Sequence, residues 1–468
     1  MTIEIFWFIA KLKLSVLVPI ALGALAVCSF KRDNWLEILG LSYPVGIGIV
    51  GLTMFTLMHI QPIKLLQILL ALLIIAFILV WLNWKCRLRF KLGAPAFDQI
   101  NQLTWLLLAY LCIKTGWVFT SALIKPVLSW DAVGRYGQIA KGVFLQGTYL
   151  SPYLHARIED YPPLIMLNQA WQLMLQGQFN DSAALVIGPM LWFSILVIAY
   201  VNLRKNCTVN YSLLACSLLA SVPFFDFHAT TAYLDLPQAV FFSIGAFYLI
   251  SYFQNTEKPN LLVALIILGL GVWVKRAGMY LALAAILWLS IFLWKKREKI
   301  ISSALVPVAW LLALAVPWFI YNKITSVSQH HPVSTLMPFA QPGSLADRFP
   351  QLLAILWEKF FFSGNWHLLW LAFLLVCVLG FRQLIKPHLG LGLGLLCTGL
   401  FLSLYPLLFT SASQFLLDGT LLNRVVLYSV PLTVYLGALI FWEEINTAGQ
   451  QSADSKVPPK LRSKRPVK

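Results

Sequence analysis

What most limits how this chain can fold is a series of apolar runs, each close to the ~20 residues a helix needs to cross bilayer hydrocarbon. Thirteen are legible, at 12–30, 36–58, 62–84, 101–124, 182–203, 211–228, 233–253, 260–274, 279–294, 300–321, 366–381, 389–409 and 424–442. Those at 260–274, 279–294 and 366–381 are short enough to be half-helices. Residues 1–10 are too few to span and lack the layout of a cleavable signal peptide. Composition agrees with the runs. Only 11% of the 468 residues are charged, 59% are hydrophobic, and mean hydropathy is +0.78, whereas a soluble domain carries roughly 25% charged residues. The expected fold is an all-α multi-pass membrane protein with thirteen transmembrane helices.

The charge that is present is lopsided: 35 Lys and Arg against 18 Asp and Glu leave +17. That balance suits nucleic acid or an anionic lipid surface. No zinc-finger spacing or basic recognition helix accompanies it, so the expected partner is the lipid bilayer and not nucleic acid. The seven cysteines lie in apolar runs or beside basic loops, which implies no disulfide framework. Lys and Arg collect on the cytoplasmic side of membrane proteins. Placing Lys85, Arg87, Arg89 and Lys91 there, and alternating faces, brings Arg204-Lys205, Lys295-Lys296-Arg297-Lys299 and the tail from Lys456 to Lys468 to the same side. The opposite side receives the longer polar stretches 125–181, 322–365 and 410–423, so the chemistry is expected there.

The stretch 125–181 is patterned. Asp131 precedes an apolar face of Val133, Tyr136, Ile139, Ala140, Val143 and Phe144, closed by Gly147. Asp160 and Pro162-Pro163 precede a second face, Leu164, Leu167, Trp171, Met174 and Leu175, closed by Gly177. Each reads as a helix of ~16 residues with an acid at its N-cap and glycine at its C-cap. Being polar on one side, both are expected to lie along the membrane interface. Asp131 reads equally well as a helix cap or as a chemical carboxylate.

Trp130-Asp131-Ala132, Arg135-Tyr136, Ala140, Gly147, Pro152 and Tyr161-Pro162-Pro163-Leu164 resemble the first outer loop of the GT-C glycosyltransferases, where many members carry Asp-Glu at the first acid. That superfamily includes protein O-mannosyltransferases and the lipid A aminoarabinose transferase. Tyr233-Leu234-Asp235-Leu236-Pro237, Lys275-Arg276-Ala277-Gly278 and Asn423-Arg424 extend the resemblance, which covers residues 101–442. Residues 1–100 are then N-terminal transmembrane helices added to the family layout, and 443–468 a basic, disordered cytoplasmic tail.

The resemblance implies transfer of a sugar from a polyprenyl-phosphate carrier to an acceptor hydroxyl on the non-cytoplasmic face, in a bacterial inner membrane with a periplasmic active site. Asp131 would be the base that takes the acceptor's proton. Asp160 would orient Asp131, the acceptor or a bound divalent cation; no other cofactor is expected. Arg135, Lys275, Arg276 and Arg424 are candidates for the leaving phosphate, with Tyr161 and Asp235 as further substrate contacts. Asp235, just before Pro237, also reads as a helix cap. The absence of Asp-x-Asp, G-x-G-x-x-G and Walker-type loops fits a lipid donor better than a nucleotide sugar. The adjacent His330 and His331 lack a third ligand and read as loop residues, not a metal site. Lys114, about mid-run, requires a partner or a cavity. The rival readings are a transporter or flippase of lipid-linked saccharides, and a polysaccharide polymerase or ligase.

Overall fold

A backbone in hydrocarbon must satisfy its own N–H and C=O groups, so apolar runs of this length become helices. The computed structural model describes all residues except 1, 31, 86–100, 150–160, 181–183, 297–299, 326–348, 410–413, 418 and 456–468. In chain order the helices begin with α1 (Thr2–Ser29), α2 (Trp35–Met58), α3 (Leu65–Lys85) and α4 (Gln102–Ile124). The patterned loop supplies α5 (Gly137–Gln146) and α6 (Leu164–Gln176). There follow α7 (Ile187–Leu203), α8 (Val209–Ala220), α9 (Pro223–Ala229), α10 (Asp235–Asn255), α11 (Lys258–Val272), α12 (Arg276–Lys296) and α13 (Ile300–Thr325). The chain ends with α14 (Phe349–Phe361), α15 (Leu369–Leu379), α16 (Pro387–Phe409), α17 (Gln414–Leu417), α18 (Leu422–Val426) and α19 (Val430–Ser455).

Each of the thirteen apolar runs falls on a helix, but not all are long enough to span. Nine of the described helical segments are long and apolar enough to cross a membrane, and α8 with α9 makes a tenth, bent by 72° at its break. α7, α11 and α15 are apolar but shorter. Residues 2–10, expected to be too few to span, are continuous with the rest of α1, because the apolar pattern carries through Phe6, Trp7, Phe8 and Ile9. α19 likewise runs on to Ser455, past the expected start of a disordered tail.

α10 is the axis of the bundle. Every residue from Asp235 to Phe253 is buried, with α7, α11, α12, α16 and α19 packed around it. Its position explains how an acid at its first residue comes to be wholly enclosed. α1 and α2 pack closely as a hairpin: a Cβ on Gly46 would lie 1.8 Å from the Pro19 carbonyl oxygen, a contact only glycine permits.

The same hairpin corrects the expectation for α6. All thirteen residues of α6 are buried, so it does not lie along the interface. α1 and α2 cover it and accept two of its side-chain hydrogens: Asn168 donates to the Ile47 carbonyl at 2.9 Å, and Trp171 Nε1 to the Ser15 carbonyl at 3.0 Å. Lys11 donates to the Gln176 carbonyl at 3.0 Å.

Candidate active site

The stretch after α4 carries Asp131 into helical backbone (φ −65°, ψ −32°), and its side chain caps nothing. A single π-helical turn, Ala132–Tyr136, then leads into α5, the kind of local widening often found at functional sites. α5 ends at Gly147 with φ +67°, a conformation glycine adopts freely. The Gly147 carbonyl accepts from Ile63 N–H at 2.6 Å, and a Cβ there would meet the Ile63 oxygen at 2.5 Å. The loop is thereby tied to the α2–α3 connection. α6 starts at Leu164, not near Asp160, and the Leu164 N–H donates to the Trp273 carbonyl at 3.0 Å. Asp160 itself lies outside the described residues.

Four distant parts of the chain converge beside this turn. Arg424, on α18, donates from Nη1 to Asp131 Oδ2 at 2.6 Å and from Nε to Asp235 Oδ2 at 2.9 Å. Lys275, in the break between α11 and α12, donates to Asp235 Oδ1 at 2.7 Å. The Tyr428 hydroxyl donates to the same oxygen at 2.9 Å. The Arg424 guanidinium also lies 4.5 Å from the Tyr233 ring centroid, and Lys275 lies over the Tyr428 ring. The break holding Lys275 is tight: a Cβ on Gly278 would come within 2.0 Å of the Gly271 oxygen.

Two carboxylates are thus matched by two cations. Asp235 is 0% exposed, whereas the Asp131 side chain is 23% exposed. Burying a charge is tolerated only when it is paired and fully hydrogen-bonded, and Asp235 meets that condition with three donors. Neither acid is a helix cap, which overturns that reading for both: their oxygens face cations across the bundle. Tyr136 is buried against the cluster, and its hydroxyl has no hydrogen-bond partner among the described residues. Burial above all, and then the neighbouring Tyr161, raise its pKa well above 10. His228 is equally enclosed, packed on Tyr233.

The other expected residues are placed less centrally. Arg135 lies over the Tyr161 ring, 5.2 Å from its centroid, and Tyr161 packs edge-on to Tyr136. Arg276 is exposed at the start of α12, outside the buried cluster. Tyr428 was missed; its one signal is the i+4 spacing from Arg424, which places both on one helical face. Lys114 finds its partner in Asp226 on α9, an ion pair away from the cluster. His330 and His331 lie outside the described residues, and among those described no group of three or more His, Cys, Asp or Glu gathers.

An apolar cavity of about 600 Å³ lies at the same end of the bundle, between α2 and α13. Phe55, Trp273, Leu314, Pro317 and Tyr321 line it, with His59 and Thr56 as its polar groups. Trp273, in its wall, is two residues before Lys275 in the chain.

Residues 160–321 match the family model for dolichyl-phosphate-mannose-protein mannosyltransferase. The matched segment covers about a third of the chain and holds Asp235 and Lys275 of the cluster; Asp131 and Arg424 flank it on either side. A comparison with curated proteins returns no match. Among solved structures, ArnT from Cupriavidus metallidurans in the apo state is similar at 15% identity and a TM-score of 0.49, over 78% of this chain and 62% of that one. The same protein bound to undecaprenyl phosphate is similar at 14% identity and 0.41, over 77% and 82%. This chain therefore spans less than two thirds of the apo ArnT chain.

Proposed function

We propose that the protein is a membrane glycosyltransferase that moves a sugar from a polyprenyl-phosphate carrier to an acceptor hydroxyl, at the loop-bearing end of the bundle. The observation that carries the reading is the Arg424 guanidinium shared between Asp131 and Asp235, with Lys275 on the far side of Asp235. Asp235 holds the two cations in place for the donor phosphate. When that phosphate arrives it competes for Arg424 and draws it from Asp131. The freed carboxylate then accepts the acceptor's proton as its oxygen bonds to the sugar's anomeric carbon. The bond from that carbon to the carrier phosphate breaks, and the phosphate keeps the electron pair. Arg424 and Lys275 stabilise the charge that develops there. Arg binds a phosphate in two-point fashion, Lys as a point charge. The cavity beside Trp273 suits the carrier's isoprenoid chain.

Asp131 and Asp235 already have cationic partners, so the proposal gives the divalent cation left open by the sequence no place between them. The face is taken to be non-cytoplasmic from the distribution of Lys and Arg, and the membrane to be a bacterial inner membrane as the resemblance implies. In purified protein with a polyprenyl-phosphate sugar donor, Asp131→Asn is expected to abolish turnover; normal turnover removes Asp131 as the base. The broken α8–α9 pair and the Lys114–Asp226 ion pair are features that a flippase would also use. That second reading prevails if reconstituted vesicles move a lipid-linked saccharide across the bilayer without forming a glycosidic bond.

A further inference from the structure

The two acids meet the Arg424 guanidinium at its edge, Asp131 through Nη1 and Asp235 through Nε. The group also lies over the Tyr233 ring, 4.5 Å from its centroid. That ring is itself braced. His228, 1% exposed, packs on it with 5.4 Å between centroids and 33° between planes. His228 belongs to α9, which is fixed along its whole length. The Phe224 N–H donates to the Asn365 carbonyl at 3.2 Å, Asp226 pairs with Lys114 of α4, and a Cβ on Gly188 would lie 2.3 Å from the Ala229 oxygen. Tyr233 also packs on the small cluster of Ala122, Ala132, Leu185 and Ala232, which includes the chain neighbour of Asp131. Lys275 repeats the arrangement, 5.6 Å from the centroid of the Tyr428 ring.

An aromatic face holds a cation through the ring's quadrupole, and holds it harder where water is excluded. The ring carries no charge, so it fixes the guanidinium without neutralising it. A third acid in the same place would compete with a phosphate for the cation. We propose that Tyr233 is a positioning residue for the transfer. It keeps Arg424 in place while one partner of the guanidinium changes from the Asp131 carboxylate to the donor's phosphate. The proposal rests on the transferase reading, which supplies that phosphate. At the exchange Arg424 gives up one of its two acids, and the Tyr233 face and the Asp235 oxygen remain to hold it. Without the ring, the long side chain regains rotamer freedom that binding the phosphate must then remove.

The test replaces Tyr233, by nonsense suppression, with phenylalanine and with its mono-, di- and trifluorinated forms. These keep the shape of the ring while draining its negative face step by step. Purified protein in detergent is titrated with farnesyl phosphate, and the melting midpoint is read without it. Relative to Tyr233→Phe, the dissociation constant is expected to rise with each fluorine, to roughly tenfold at the trifluorinated ring. The midpoint should fall in the same order. Both series should be flat in an Arg424→Gln background, where the cation is gone; if that variant does not fold, the series with Arg424 present decides alone. Equal dissociation constants across the fluorinated rings would make Tyr233 a space-filler and overturn the proposal, as would a stepwise loss that persists without Arg424. If no protein binds farnesyl phosphate and the midpoint still falls with fluorine, the ring's hold on Arg424 stands and the transferase reading is what fails. Normal binding with flat series removes the hold alone.

Discussion

The two acids of the cluster differ in enclosure, and that difference predicts different losses when each is neutralised. Asp235→Asn keeps the shape of the side chain but removes a charge shared by Lys275 at 2.7 Å, Arg424 Nε at 2.9 Å and the Tyr428 hydroxyl at 2.9 Å. Whichever way the new amide turns, its NH₂ meets at least one of these donors. Removing one partner from a buried pair costs about 3–5 kcal/mol. Asp131→Asn loses a single ion pair at a side chain 23% exposed, where about 1 kcal/mol is the expected loss. Intrinsic tryptophan fluorescence in detergent, at one fixed scan rate because unfolding of such proteins is irreversible, reads both. At ~2–4 °C per kcal/mol for larger domains, the apparent midpoint should fall on the order of 10 °C for Asp235→Asn and no more than about 4 °C for Asp131→Asn. Sugar release from a polyprenyl-phosphate donor should show the reverse emphasis for Asp131→Asn: a folded protein with turnover down by at least ~100-fold. Equal midpoint shifts for the two variants would refute the division of the cluster into a holding acid and a reacting acid.

Arg424→Lys cannot reach both carboxylates with one ammonium, and turnover should drop by roughly 10²–10³, the usual loss for one stabilising donor; steady-state assay checks it. Lys114→Met leaves Asp226 without its cation, so it should lower the apparent midpoint more than the double change Lys114→Met with Asp226→Asn does. Gly278→Ala forces a methyl toward the Gly271 oxygen, and about 1–3 kcal/mol of destabilisation is expected as a lower midpoint. Burial holds the Tyr136 phenol neutral well above pH 10, whereas an unfolded tyrosine ionises near ~10. The stability Tyr136 contributes is therefore complete below pH ~10 and is lost as pH rises beyond it. Tyr136→Phe should flatten that alkaline decline in a pH series of melting scans.

Length of apolar run was enough to locate the helices, because a bilayer imposes the same demand at every span. It was not enough to count spans, since α7, α11 and α15 are apolar yet short. Gly147 and Gly177 were legible as helix ends because their left-handed backbone is a local property. Asp131, Asp235, Lys275 and Arg424 each stood out as a charge near the end of a run. Their convergence did not, because 293 positions separate Asp131 from Arg424 and only the folded bundle brings them together. Local reading also favoured caps for the acids, since a cap needs nothing beyond the next turn. The burial of α6 was invisible for a related reason: Asn168 and Gln172 look like a solvated face until α1 and α2 are seen to enclose that helix.

The enclosure of α6 also has a temporal side. The ribosome makes α1 and α2 first, so their hairpin is available as a receiving surface before the loop that includes α6 is synthesised. Later additions can then settle onto a mould already in place, and α6 need never face water alone. A chain shortened from its beginning would have to fold that loop with no such mould.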